Sequence, residues 1–345
     1  MSICLSRIAV WLPEGYEDAA LISRESGVPE EVVAAKMGIK RKCRAKPEEH
    51  PSIMAVAAAR KLLVDMDPDS IDLVVWTGSD YKDYPVWTAG IYVQEQLGLR
   101  KAWAFDIAAR CSTNVVAIKV VKSMMHSDES LKRVLLCGGH RTGDLVNYKD
   151  PKARFLYSLS DGGSAILLER GEENPILESR VITDGSFSED VILPAGGTRH
   201  RIRESVSHEH TFLNVPDIAG MRERLAARSI ENFARVIKQA ATASMTRPID
   251  YLALLHLKRS AHDAILSSVD LSTEQSIYMD HFGHFGAPDQ VLSLGLAERY
   301  DRLQAGDHVV LASAGIGYCW SAVSIRWDRP AYLNNDLDMG GFCLA

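Results

Sequence analysis

The chain has 345 residues, 46% hydrophobic and 24% charged, with a formal net charge of -6, so it can bury a sizeable core and is expected to hold two domains or one large duplicated fold. The acidic balance excludes a general nucleic-acid binder, which needs a basic excess or stripe, and no apolar run approaches the roughly 18 residues of a membrane span. Six scattered cysteines with no CxxC pair indicate neither a zinc site nor a disulfide framework, and a reducing cytoplasm is the expected location.

Residues 1–12 are apolar, interrupted by Arg7 and closed by Pro13 without a cleavage-site pattern, and are predicted as the first strand. Residues 38–42 read as a short basic loop on a solvated face. Residues 54–66 are Ala-rich with a helical period, broken by Pro68, and the near-continuous apolar run 72–77 predicts a strand buried on both faces. A loop at 81–87, a helix at 88–97 closed by Gly98, a strand at 103–107 and an amphipathic helix at 115–125 follow.

Between the last two lies Asp106-Ile-Ala-Ala-Arg-Cys-Ser-Thr-Asn114. Cys111 is thereby placed where a strand ends and a helix begins, beside unpaired backbone N–H groups and the positive end of the macrodipole, which favour a thiolate. The competing reading is a small buried filler. Residues 133–138 predict a strand stopped by glycine, and 160–163 a turn before a strand at 164–168. Strands alternate with helices throughout, the pattern of an α/β fold.

The second half repeats this order. A helix at 232–241 precedes the strand 249–255 as 54–66 precedes 71–76; 308–313 answers 133–138, and 320–326 answers 163–169. A duplicated α/β unit results, with its junction near 170–185. In this alignment of halves Cys111 falls opposite Gly286, inside His281-Phe-Gly-His-Phe-Gly-Ala287, so a cysteine loop faces a loop with two histidines. His256 ends a strand nearby. A cysteine at a helix start with histidines on strand ends is equipment for acyl transfer through a thioester, and the loop 313–317 offers main-chain donors for an oxyanion.

The chain resembles the ketosynthase III branch of the thiolase superfamily, the β-ketoacyl carrier-protein synthase III type, across nearly its whole length. The residues that carry the resemblance are Met37-Gly-Ile-Lys-Arg41, Phe105-Asp-Ile-Ala-Ala-Arg-Cys-Ser112, Ser160-Asp-Gly-Gly-Ser-Ala165, Leu255-His256 and Ala314-Gly-Ile-Gly-Tyr-Cys-Trp320. The resemblance implies a duplicated thiolase fold, five-layered αβαβα, with a nucleophile-bearing half over 1–175 and a histidine-bearing half over 176–345. It further implies a homodimer, an acyl-cysteine on Cys111, oxyanion donors from the N–H groups of Cys111 and the Gly315/Ile316 position, no cofactor, and coenzyme A or acyl carrier protein thioesters as substrates.

The sequence departs from that family in several places. Where the family has an asparagine, this chain has Gly283-His284-Phe285-Gly286, so the expected triad is Cys111, His256 and His284. Leu257-Lys258-Arg259 follows the histidine, Val32 replaces the tryptophan that stacks on adenine, and Lys36 replaces an arginine. Lys36, Lys258 and Arg259, with Arg199, Arg201 and Arg203 as a second group, are the candidate basic residues for a carrier or its acyl donor. Arg110, beside the nucleophile, either serves the thiolate or an anionic substrate or points away into an ion pair. Tyr84, Val86, Trp87, Leu156 and Tyr157 are the side chains that could set pocket size. The expected activity is acylation of Cys111 followed by decarboxylative Claisen condensation in a specialised fatty-acid or polyketide pathway. The alternatives are transfer to an alcohol or amine without condensation, and a non-catalytic scaffold subunit.

Overall fold

The computed structural model describes residues 1–201 and 206–333, so Arg203 and Cys343 lie outside the described residues. The first half runs β1 (Ser2–Trp11), β2 (Tyr16–Asp18), α1 (Ala19–Ser26), β3 (Arg41–Cys43), α2 (Pro51–Leu62), β4 (Leu73–Trp76), α3 (Ala89–Gln96), β5 (Trp103–Asp106), α4 (Thr113–Ser127), β6 (Arg133–Arg141) and β7 (Asp161–Gly171). The second runs β8 (Ile176–Thr183), α5 (Ile218–Ser244), β9 (Tyr251–Leu254), α6 (Arg259–Ser268), α7 (Asp289–Arg299), β10 (Asp307–Gly315) and β11 (Cys319–Trp327).

Two sheets carry the fold, in the orders β1-β7-β6-β4-β5 and β8-β11-β10-β9. Each has a parallel pair, β4 with β6 and β9 with β10, and an antiparallel pair beside it, β6 with β7 and β10 with β11. The order therefore repeats, except that β5 has no counterpart strand among the described residues. Helices α2 and α3 cover the outer face of the first sheet, α5 and α6 lie outside the second, and α4 and α7 fill the layer between. This is the five-layered αβαβα arrangement expected from the sequence.

Burial explains the local choices. All four residues of β4 are buried because both faces of its sheet are covered. Helix α7 lies between two sheets and is buried from Asp289 to Ala297. A helix buried all round must hydrogen-bond its polar side chains: the Gln290 amide donates to Ala312 O at 3.0 Å, and Ser293 Oγ pairs with Tyr251 Oη at 2.8 Å. Asp289, the first residue of α7, is fully buried and belongs to the site.

Four sequence expectations are corrected. The basic run 38–42 is not a uniformly solvated loop: Lys42 is 0% exposed, its Nζ donating to Leu159 O at 2.6 Å and facing Glu17 at 3.3 Å. Burial pushes its ammonium pKa down, against the opposing pull of Glu17 and Asp161. Strand β6 continues through Gly138 and Gly139 to Arg141, and residues 161–163 belong to β7 rather than to a turn. The cause is close packing with α2: a Cβ on Gly139 would lie 1.9 Å from Pro51 O, and one on Gly163 would lie 2.6 Å from Met54 O. These glycines admit the helix without ending the strands. The helix at 232–241 also begins earlier, as the 27-residue α5.

Candidate active site

Cys111 sits in a single 3₁₀ turn, Arg110–Ser112, between β5 and α4. Arg110 holds φ at +55°, a left-handed conformation that side chains other than glycine disfavour by about 1–2 kcal/mol. Side chains pin the turn: Thr113 Oγ1 accepts from Ala109 N (2.9 Å) and donates to Arg110 O (2.6 Å), and Ser313 Oγ donates to Cys111 O (2.7 Å). Gly315 of β10 comes so near that a Cβ there would lie 2.2 Å from Ala109 O and 3.2 Å from Cys111 N. Only glycine lets the 315–317 loop reach the nucleophile turn. The thiol stays partly exposed.

His284 Nε2 is 3.0 Å from Cys111 Sγ, and its Nδ1 is 2.5 Å from Asp289 Oδ2. Asp289 also accepts from the backbone N–H of His256 (2.7 Å) and of Phe285 (3.1 Å). Burial alone would push the His284 imidazole toward its neutral form, but Asp289 and Cys111 outweigh it and hold its pKa well above 6.5. The three side chains form a Cys–His–carboxylate relay, with the carboxylate fixing the ring and balancing the imidazolium.

His256 is buried at the end of β9, but its side chain is not part of that chain of contacts. Neither ring nitrogen has a hydrogen bond of good geometry; a weak backbone hydrogen bond with Gly38 opposes the effect of burial, which lowers its pKa to about 4. It is a neutral imidazole whose polar atoms remain available. A third histidine joins the centre: His140, near the end of β6, is 4% exposed and lies against Gly286, where a Cβ would come 2.7 Å from its Nδ1. Burial and the neighbouring His284 charge lower His140 to about 4.

Asp289 and His140 are the residues that sequence reasoning missed. Asp289 looks like an ordinary acidic residue at a helix start, and its only local signal is its place five residues after His284. His140 follows two glycines read as the end of a strand. His281, the other loop histidine, pairs with Asp280 at 2.8 Å rather than joining the relay.

The candidate basic residues divide into groups. The turn Val32–Lys36 packs on α6, so the exposed Lys36 shares a rim with Lys258 and Arg259. Arg259 is half-exposed and lies over the Tyr278 ring, 4.4 Å from its centroid. Arg110 is on another side and pairs with Asp80, lining a cavity of about 500 Å³ together with Asp184, Ile316 and Tyr318. Arg199 pairs with Glu189 at the surface and Arg201 is exposed. Tyr84 and Val86 are exposed, whereas Leu156 and Tyr157 are buried in the cluster under α1. Among the described residues, no cluster of His, Cys, Asp and Glu could hold a metal ion, and no helix is long and apolar enough to cross a membrane.

Comparison with known proteins bears on the family and the fold. Residues 105–185 match the family described as 3-oxoacyl-[acyl-carrier-protein] synthase III, and residues 240–327 match its C-terminal family. The first segment contains Cys111 and His140; the second contains His256, His284, Asp289 and Gly315. The beta-ketoacyl-[acyl-carrier-protein] synthase III of Clostridioides difficile is 26% identical over 325 residues, spanning 93% of this chain and 97% of its own. The 3-oxoacyl-(acyl carrier protein) synthase III structure from Pseudomonas aeruginosa superposes with a TM-score of 0.83 at 19% identity, covering 95% of this chain and 99% of that one. The priming β-ketosynthase of the R1128 polyketide pathway gives 0.84 at 17% identity, with 95% and 97% covered. The fold is the duplicated thiolase fold.

Proposed function

Because the chain belongs to the 3-oxoacyl-[acyl-carrier-protein] synthase III family and is an acyltransferase of the β-ketoacyl synthase III kind, we propose that its reaction begins with an acyl thioester acylating Cys111. His284 Nε2 takes the thiol proton, Cys111 Sγ attacks the thioester carbonyl, and the imidazolium returns the proton to the departing thiolate. Asp289 orients His284 and balances its charge through these steps. The backbone N–H groups of Cys111 and the Gly315/Ile316 position serve the oxyanion. The donor is an acyl-coenzyme A or an acyl carrier protein, met at the rim of Lys36, Lys258 and Arg259.

For the second half-reaction, the observation that decides our reading is the pairing of His284 Nδ1 with Asp289. In the neutral imidazole that pairing places the one N–H on Nδ1 and leaves a lone pair on Nε2, facing the acylated sulfur. A lone pair there removes a proton from an attacking hydroxyl or amine, giving an ester or amide and regenerating the thiol. His256, neutral and only weakly bonded, donates to the acyl carbonyl. The finer assignment is thus acyl transfer to an alcohol or amine.

Decarboxylative condensation is the second reading, favoured by the family and by the availability of His256 as a donor to a thioester enolate. Intact-protein mass spectrometry with a panel of acyl-coenzyme A and acyl-carrier donors tests the first half: an adduct on the parent, absent in Cys111→Ala, is expected. Equal acylation of Cys111→Ala would sink the mechanism. Carbon dioxide released from a malonyl donor by the acylated enzyme would favour condensation and count against ester or amide formation. A homodimer remains part of the proposal. The edge strand β5, with Trp103 half-exposed, and the exposed Tyr84, Val86 and Ile91 supply an apolar face for a second copy.

A further inference from the structure

The His256 imidazole has a soft, two-fold χ2 and only a weak backbone hydrogen bond with Gly38 to hold it, so packing largely chooses its orientation. At His256 that packing comes from Tyr278, whose ring centroid is 5.1 Å away at an interplanar angle of 47°. Tyr278 is itself held by several contacts. Its hydroxyl donates to Leu257 O at 2.9 Å, the carbonyl next along the chain from His256. The Arg259 guanidinium lies 4.4 Å from its ring centroid, and the His262 ring meets it at 5.1 Å and 76°. Gly38 completes the seat: φ there is +75°, and a Cβ would stand 1.8 Å from Tyr278 Oη.

We propose that Tyr278, clamped by Leu257 O, Arg259 and the bare Gly38, is a positioning residue that sets the orientation of the His256 imidazole toward the acyl group on Cys111. Arg259, a candidate carrier contact from sequence, then has a second task inside the fold, because a cation over an aromatic face stabilises the ring beneath it. The inference rests on the reading in which His256 donates to the substrate. The ring's orientation, however, belongs to the resting protein and is measured without turnover.

The test is NMR of the full chain carrying ¹³Cε1-labelled histidine, with the His256 signal assigned by its loss in His256→Gln. Tyr278→Leu is expected to broaden or split that signal and to raise its titration midpoint by at least about one pH unit, from about 4 toward the ordinary value near 6.5. Tyr278→Phe keeps the ring and is expected to retain one sharp signal near the parent position. Arg259→Gln should shift the signal in the same direction as Tyr278→Leu, by less. An unmoved His256 signal and midpoint in Tyr278→Leu overturns the proposal. If that variant does not fold, Arg259→Gln decides, since its side chain is half-exposed, and an unchanged His256 signal there overturns the proposal equally. Acylation of Cys111 by acyl-coenzyme A, read by mass, should be unchanged in Tyr278→Leu and Tyr278→Phe. Loss of acylation in the parent would refute the proposed function and leave the NMR result to judge this inference.

Discussion

The two segments that feed the central helices reach the site by different physical routes. In the first half, β5 is hydrogen-bonded to β4 and leads through the Cys111 turn into α4. In the second, no strand among the described residues pairs with β9 at the corresponding edge, and residues 276–288 run as a loop into α7. That loop is stitched to the first half. Lys40 N and Arg41 N donate to Asp280 O, Cys43 N to Phe282 O, His284 N to Ser158 O, and Ser160 N to His284 O. Cys111 is fixed largely by its local turn, and His284 by contacts more than a hundred residues distant in sequence. Giving up a strand in one half of a duplicated fold frees a segment to carry a base across to the nucleophile of the other.

The largest effects should come from breaking the meeting point itself. Cys111→Ala is expected to abolish the acyl adduct. His284→Ala should slow acylation about 10²–10⁴-fold, the usual contribution of a positioned general base, as read by the rate of mass increase. Equal rates in parent and variant would show that the loop is not functionally joined to the nucleophile.

The stitch comes next. Lys42→Met leaves Leu159 O without its buried donor and takes one of three partners from Glu17, which keeps Arg44 and Tyr148, so a cost of about 1–3 kcal/mol is expected by denaturant unfolding. The variant should also acylate more slowly, because Leu159 forms the bridge to His284.

Asp289→Asn gives a pH-dependent signature. His284 is held above its ordinary value, so the stability it contributes is fully present below about 6.5 and is lost as pH rises through the raised value. The gap in thermal midpoint between parent and Asp289→Asn should therefore be widest near pH 6 and narrow in alkaline buffer. A gap constant with pH would mean that the carboxylate does not stabilise an imidazolium. The smallest effect is expected at the local turn: Arg110→Gly removes an exposed ion pair but relieves a left-handed residue, and should change stability by no more than about 1 kcal/mol, in the stabilising direction.

Much of the scaffold was legible in the sequence. The apolar run 72–77 is of the kind that makes a strand covered on both faces, and three correspondences in order, 71–76 with 249–255, 133–138 with 308–313 and 163–169 with 320–326, disclosed the duplication. Cys111 was legible because small residues and an amphipathic helix flank it. The histidines were legible as a set, but their division of labour was not. An equivalent pair, His256 and His284, separates in the fold into a neutral, weakly bonded ring and one held by both sulfur and carboxylate. Lys42 was misread because composition sees a basic run, whereas packing against Leu159 and Glu17 buries it, and its neighbour Cys43 is buried as well.

The sequence by itself determined the alternation of strands and helices, the duplicated order and the placing of a cysteine at a helix start. These follow from period, propensity and turn chemistry among near neighbours. Only the tertiary structure decided that His284 faces Cys111, that Asp289 stands behind it, and that Tyr278 packs on His256. Cys111 and His284 lie 173 residues apart, and a contact over that distance is settled by how two sheets and the helices between them pack, a property that no local pattern carries.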